Sequence, residues 1–429
     1  MQYDFDQLIH RKQTASKKWD GLKEVFGESD LLPMWVADMD FKSPLPVIEK
    51  MIQRANHGIF GYNLRPDSYY DTIVQWMSDK HQWSIRRDWI CYSPGVMTAI
   101  SLIISHFSEP WDSILIQPPV YAPFSQVIKR NNRKLVTSPL RYDNGRYLID
   151  FDDLQKKLDK GVKIFLLCSP HNPVGRVWTK DELKQVGEMC LKRNVLVISD
   201  EIHADLVYPG NSHTPFGSIS KEFSGRSFVC TSPSKTFNLP GIQTANIIIP
   251  DRDLREKFET AAGNYYLEAS NTFGVVATEA AYREGAEWLE QCLAYVKQNL
   301  EFLKDYINQH IPEIRVTESE GTYLAWLDCR GLHIDGKNLE NLMIRQAKVA
   351  VVSGYTFGSE REGFIRINLA APRALLKEGL DRIKQGNQGK MLLTFRPAAF
   401  QYILPLLRKI IDLKNVHPPE DTFREEYPQ

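Results

Sequence analysis

A lysine that follows an apolar strand can do covalent chemistry that a solvated surface lysine does not. Lys235 stands in Ser232-Pro233-Ser234-Lys235-Thr236-Phe237-Asn238, after the apolar Phe228-Val229 and before a turn at Leu239-Pro240-Gly241. Held at a strand end, its amine can form an imine with a bound aldehyde and, once displaced by an incoming amine, serve as a general base. Two more polar motifs follow short apolar runs upstream. Val162 to Leu167 leads into Cys168-Ser169-Pro170-His171-Asn172-Pro173, and Val195 to Ile198 leads into Ser199-Asp200-Glu201. Ligands of open parallel sheets bind outside the carboxyl ends of the strands, so Asn172, Asp200 and Lys235 can converge on one pocket. Taken singly, Asp200 reads equally well as a cap and Asn172 as turn chemistry before a proline. Neither caps nor turns require all three in this order, 28 and then 35 residues apart.

The elements that must position these groups show in the pattern. Short apolar runs alternate with amphipathic stretches, which predicts a mainly parallel sheet covered on both faces. One helix is predicted to begin at Thr179, whose hydroxyl caps it while Glu182 stands three residues on, with Leu183, Val186 and Met189 on one face. Tyr92-Ser93-Pro94-Gly95-Val96-Met97 precedes an apolar helical run, so the backbone amides of Val96 and Met97 can face an anion at the helix start. We place a large domain at residues 48–285. A smaller α+β domain takes residues 1–47 and 286–390, with Tyr323 to Leu327 and Phe364 to Ile367 as strands. Residues 391–429 form a C-terminal extension of no assigned role, whose apolar run from Ala398 to Leu407 is interrupted by Pro405 and too short to span a bilayer.

The chain has 429 residues, a formal net charge of zero and 43% hydrophobic residues, enough for two domains. Balanced charge gives no reason to expect a nucleic-acid or membrane partner. Six cysteines lie far apart with no metal-ligand spacing, which reads as free thiols in a reducing cytoplasm. The first nineteen residues are charged throughout and carry no apolar signal-peptide core. His203 has no second His or Cys at ligand spacing, so no metal site is expected.

The set of Asn172, Asp200 and Lys235 resembles the fold-type I pyridoxal 5′-phosphate (PLP) enzymes, the aminotransferase superfamily, and the resemblance runs from about Leu32 to about Lys384. It implies an α/β protein with the aspartate aminotransferase-like fold, a large α/β/α domain beside a smaller α+β one. Lys235 is then the Schiff-base lysine, Asp200 faces the pyridine nitrogen and Asn172 the ring's phenolic oxygen. Ser232, Ser234 and the amides of Val96 and Met97 would hold the phosphate. Tyr121, in Pro118-Pro119-Val120-Tyr121, matches the aromatic stacked on the ring. Tyr62 matches a tyrosine that reaches the neighbouring subunit's cofactor, which implies a homodimer with shared sites. Arg366 corresponds to the arginine that grips the substrate α-carboxylate through two parallel hydrogen bonds, with Arg373 as its rival.

Two departures narrow the branch. His203 stands where many aminotransferases carry a tyrosine, and Gln243 where a cationic phosphate anchor is common. The segments Pro33-Met34-Trp35-Val36-Ala37-Asp38-Met39-Asp40-Phe41, Asp200-Glu201-Ile202-His203 and Ser232-Pro233-Ser234-Lys235-Thr236-Phe237-Asn238 together resemble the cystathionine β-lyase or C–S lyase branch. His203 would then contact the ring oxygen or Asp200. The expected reaction is α,β-elimination on an amino-acid thioether, giving a thiol, pyruvate and ammonia, in amino-acid metabolism and methionine biosynthesis. Tyr121 or Tyr62 would protonate the departing sulfur. An aminotransferase is the alternative reading, and a regulatory protein that binds a transcription factor is one of another class.

Overall fold

The computed structural model describes residues 3–358 and 362–394. Seven short apolar segments make its central sheet: β1 (Ile90–Ser93), β2 (Ser113–Ile116), β3 (Lys134–Thr137), β4 (Val162–Cys168), β5 (Leu196–Asp200), β6 (Ser227–Thr231) and β7 (Ala245–Ile248). They lie in the order β1-β7-β6-β5-β4-β2-β3. β7 runs antiparallel to both neighbours, and every other pairing is parallel. Side chains alternate across the sheet, and both faces are apolar because both are covered. In β4, Ile164, Leu166 and Cys168 pack with the helix α1 (Val96–Phe107), whereas Phe165 and Leu167 pack with α2 (Lys180–Leu191). The start predicted for α2 is present: Thr179 and Glu182 form a reciprocal capping box, Leu183 and Val186 are buried and Met189 is half-buried.

A second sheet, antiparallel throughout, is built from β8 (Arg315–Val316), β9 (Leu324–Asp328), β10 (Val352–Ser353) and β11 (Phe364–Asn368) in the order β8-β9-β11-β10. The long helices α3 (Ala286–His310) and α4 (Arg373–Thr394) cover it, with Leu300, Leu303, Leu376 and Leu380 packed against Ile365 and Ile367. Ile365 and Ile367 point into that core, so the period of two turns Arg366 the other way. The boundaries placed from sequence at 47 and 390 fall inside helices, Leu45–His57 and α4. Residues 395–429, and with them the apolar run from Ala398 to Leu407, lie outside the described residues.

The N-terminal stretch crosses between the two sheets. Leu32–Pro33 pairs in parallel with Val349–Ala350. The segment after it, 34 to 41, is pinned by charge: Lys18 Nζ reaches Asp40 Oδ2 at 2.6 Å, and Arg11 bridges Asp38 (2.8 Å) and Asp40 (2.6 Å). Lys18 and Asp40 are both almost fully buried.

Candidate active site

Parallel strands deliver their carboxyl ends to one edge of the sheet, and the register of β4, β5 and β6 sets Cys168 beside Asp200 and Asp200 beside Cys230. The loops that follow carry Asn172, Asp200 sits at the end of β5, and Lys235 lies in the short helix Pro233–Thr236 after β6. All three line one cavity of about 650 Å³, together with Val96, Met97, Tyr121 and His203 from the large sheet's side. Arg366 enters from β11 of the small sheet. Its guanidinium donates to Asn172 Oδ1 at 3.1 Å and to the Trp35 carbonyl at 2.9 Å, and lies 5.1 Å from the Phe357 ring. Arg366 therefore joins three separate parts of the chain at the cavity wall.

The electrostatics follow from burial. Taking the Lys235 amine out of water, next to the Arg366 guanidinium, lowers it to about 8, although Asp38 and Asp200 act the other way. Burial pushes the Asp200 carboxyl up to about 7, helped by the charge of Glu201 and opposed by the Ile202 amide and Lys235. Burial also lowers His203 to about 3, so its imidazole is neutral. The Tyr121 phenol is raised by burial and by the Asp200 charge. Arg366 falls to about 10 through burial and stays charged at neutral pH.

Three polar atoms of cavity-lining residues are buried without a hydrogen-bond partner among the described residues: Thr244 Oγ1, His203 Nδ1 and Arg366 Nε. Native proteins rarely leave such atoms unmatched.

Several groups at the site have no signature in the sequence. Lys235 Nζ donates to the Ala37 carbonyl at 2.6 Å, and the Tyr323 hydroxyl donates to the same oxygen at 2.9 Å. Asn368 holds this segment through the Val36 and Asp38 carbonyls (2.7 and 2.5 Å), and Asn238 does so through Met39 and Phe41. A backbone carbonyl can belong to any residue, so no pattern announces Ala37. Asn238 lies within the lysine motif itself, but its bond across to residue 39 follows from no sequence pattern.

Ser232, His203, Arg373 and Tyr62, also singled out from the sequence, take the following places. Ser232 lines the cavity, but its single proton is directed at the Thr244 carbonyl (2.6 Å) while its oxygen caps the Ser234 amide (3.1 Å). The Ser234 hydroxyl lies 2.8 Å from that of Ser232, so the two serines form a hydrogen-bonded pair at the cavity wall. His203 makes no hydrogen bond to Asp200 among the described residues. The Ile202 amide takes Asp200 Oδ1 instead, at 3.2 Å, and His203 packs edge-on against Tyr323. Arg373 binds Asn299 and lies over Phe302, away from the cavity. Tyr62 is fully exposed and lines a separate groove of about 620 Å³ that shares only Pro94 and Gln243 with the cavity.

Comparison with known proteins agrees with this architecture. The profile of the family described as "Aminotransferase class I and II" matches residues 30–383. The chain is 42% identical over 382 residues to "Cystathionine beta-lyase PatB" of Bacillus subtilis (strain 168), covering 89% of this chain and 99% of that protein. Cystalysin from Treponema denticola, whose crystal structure contains pyridoxal 5′-phosphate, superposes with a TM-score of 0.88 at 40% identity, over 91% of this chain and all of that one. The PLP-bound C-S lyase from Staphylococcus hominis superposes with a TM-score of 0.84 at 34% identity, over 90% and 98% of the two chains. A family match over most of the length, a mainly parallel sheet with its polar loops gathered at one edge, and relatives of this identity together make the chain a member of the class I and II aminotransferase family.

Proposed function

We propose that the protein is a PLP-dependent carbon–sulfur lyase acting by α,β-elimination on amino-acid thioethers such as cystathionine. The observation that carries this reading is the meeting of Lys235, Asp200, Asn172 and Arg366 in one cavity, in a chain 42% identical over nearly its full length to a protein named cystathionine beta-lyase.

The residues present fit the cofactor. A buried carboxylate such as Asp200 is most stable facing a cation, and a protonated ring nitrogen is one. The lowered Lys235 amine suits attack on an aldehyde. The unmatched Thr244 hydroxyl, Ser234 and the amides at the start of α1 are donors for a phosphate. Thr244 stands directly after Gln243, so a neutral donor supports the phosphate where relatives of other branches use a cation. When bound, PLP supplies an electron sink for the pair left behind as the substrate loses its α-proton.

Arg366 holds the substrate carboxylate and so fixes which bond at Cα is presented. Lys235 takes the α-proton onto its amine. With the cofactor bound, Asp200 would supply negative charge to its ring nitrogen, and Asn172, whose Oδ1 accepts from Arg366 at 3.1 Å, would offer its amide N–H as a donor to the ring oxygen. The Cβ–S bond breaks with its electron pair on sulfur, which leaves as a thiol after protonation by Tyr121 or by Tyr62 of a second subunit. The three-carbon enamine left over gains water and falls apart to pyruvate and ammonia. Cystathionine should therefore yield homocysteine, pyruvate and ammonia in equal amounts. Stoichiometric conversion of the cofactor to its amine form, reversed only by a keto acid, would move the assignment to an aminotransferase.

A homodimer is part of this reading. Tyr62 lies in a strap with Ile59, Phe60 and Leu64, all more than half exposed. The strap is fastened to the 268–273 segment by Asn63 to Ser270 (2.9 Å), Thr272 to Asn63 (3.0 Å) and Arg65 to the Glu268 carbonyl (2.7 Å). So much apolar surface on a fixed segment beside the cavity is what a second copy would cover. We assign the enzyme to the cytoplasm on the strength of six buried free cysteines. Among the described residues no helix is long and apolar enough to cross a membrane, and no cluster could hold a metal ion.

A further inference from the structure

Beside the turn that carries Lys235 the chain buries two histidine–carboxylate pairs that this reaction does not use. His81 Nε2 lies 2.7 Å from Asp205 Oδ1, and His213 Nε2 lies 2.8 Å from Glu201 Oε2. None of the four side chains is more than 7% exposed, and the two imidazoles meet edge to face at 5.5 Å. Both imidazoles and Asp205 border a second cavity that shares no lining residue with the first.

Each carboxylate is also held from elsewhere. Glu201, next to Asp200, accepts from the Ser199 hydroxyl and the Phe216 amide, both at 2.8 Å. Asp205 accepts from the Trp76 indole at 3.0 Å and from the Thr236 hydroxyl at 2.6 Å. Thr236 is fully buried and follows Lys235 in the short helix Pro233–Thr236. One short bond between buried partners thus ties the turn that carries the amine to the segment that begins at the Asp200 carboxylate. A charged acceptor makes this bond roughly twice as strong as a neutral one would, and the His81 ring nitrogen gives the same buried carboxylate a further hydrogen bond at 2.7 Å. Packing alone would not require a charge here.

We propose that Asp205, oriented by His81, is a positioning residue that holds Thr236, and through it the Lys235 amine, in register with Asp200 for abstraction of the α-proton. Glu201 and His213 hold the other end of the same segment. The inference rests on Lys235 being the base, and a displacement of about 1 Å in such a group costs on the order of a hundredfold in rate.

The test measures proton abstraction without elimination, as exchange of the α-proton of L-alanine with D₂O by holoenzyme. This step does not depend on the lyase reading, so a failure of one is distinguishable from a failure of the other. Thr236→Val removes the bond and keeps the shape, and Thr236→Ser restores it. The valine variant should keep the visible absorbance of bound cofactor and the half-saturating alanine concentration, yet exchange at least tenfold more slowly. The serine variant should return to within about twofold of wild type. Unchanged exchange in the valine variant overturns the proposal. So does a loss that serine does not restore, or one that merely follows a fall in bound cofactor or melting temperature. If the valine variant does not fold, His81→Gln, which leaves Thr236 in place and loosens only the carboxylate's orientation, is read the same way. Slowed exchange with full cofactor absorbance supports the proposal, and wild-type exchange overturns it.

Discussion

Burial and the Arg366 guanidinium hold the Lys235 amine at about 8, where an ordinary lysine titrates at 10.5. Above that pH the amine is neutral and nucleophilic, and below it protonation blocks attack. Association of PLP with the apoprotein should therefore quicken as pH rises through about 8, well before surface lysines respond. Trapping with borohydride and locating the modified lysine by mass spectrometry checks this, and a midpoint near 10 would remove the special status of Lys235. For Asp200→Asn, a neutral amide no longer supports positive charge on the ring nitrogen, so turnover should fall at least tenfold, about 1.4 kcal/mol of barrier, even at saturating PLP. Unchanged turnover would mean that another residue faces that nitrogen. These side chains were visible in the sequence because each follows an apolar run whose period marks a strand, and a strand end is a place. Thr244, Tyr323 and the Ala37 carbonyl were not, since what singles them out is an unmatched atom or a bond across more than a hundred residues.

The element most easily overlooked is the N-terminal segment, which supplies Ala37 to the lysine and Trp35 to Arg366. It is held in place by the buried Lys18–Asp40 pair with Arg11 and Trp19. Burial alone would raise the Asp40 carboxyl, but the charge and hydrogen bonds of Lys18, Trp19 and Arg11 outweigh it and leave it below its ordinary 3.8. The pair's contribution is therefore complete above that value and is lost as pH falls through the folded one, so the clasp should release only in strong acid. Lys18→Met leaves a buried carboxylate one partner short and should cost about 3 kcal/mol, read as a lowered denaturant midpoint. The same variant should lose turnover, because the Ala37 carbonyl is no longer held against the amine. Full stability and full turnover together would make the clasp ornamental. The strands and the capped helix α2 were readable from period and cap chemistry. This clasp was not, because Lys18 and Asp40 belong to no regular pattern and meet only in the fold.

At the scale of the whole molecule, the exposed Tyr62 strap and the cavity are adjacent through Pro94 and Gln243 and do not merge within one chain. Two inactive variants, Tyr62→Phe and Lys235→Ala, refolded together should regain activity in mixed dimers that contain one intact site. Confirmed heterodimers with no recovery would place Tyr62 outside catalysis.

The cavity wall draws on Lys17 near one end of the described chain and on Arg366 near the other, with both sheets between them. A molecule seated there is fastened to distant stretches of the chain at once, and its affinity is added to the free energy of keeping them together. The sites most sensitive to loading should then be far from the chemistry in sequence. Brief trypsin digestion of the PLP-free protein should nick at Arg11, Lys17 or Lys18 sooner than that of the loaded protein, and peptide mapping would show the difference. Equal cleavage rates would mean that the N-terminal segment keeps its own place whether or not the cavity is filled.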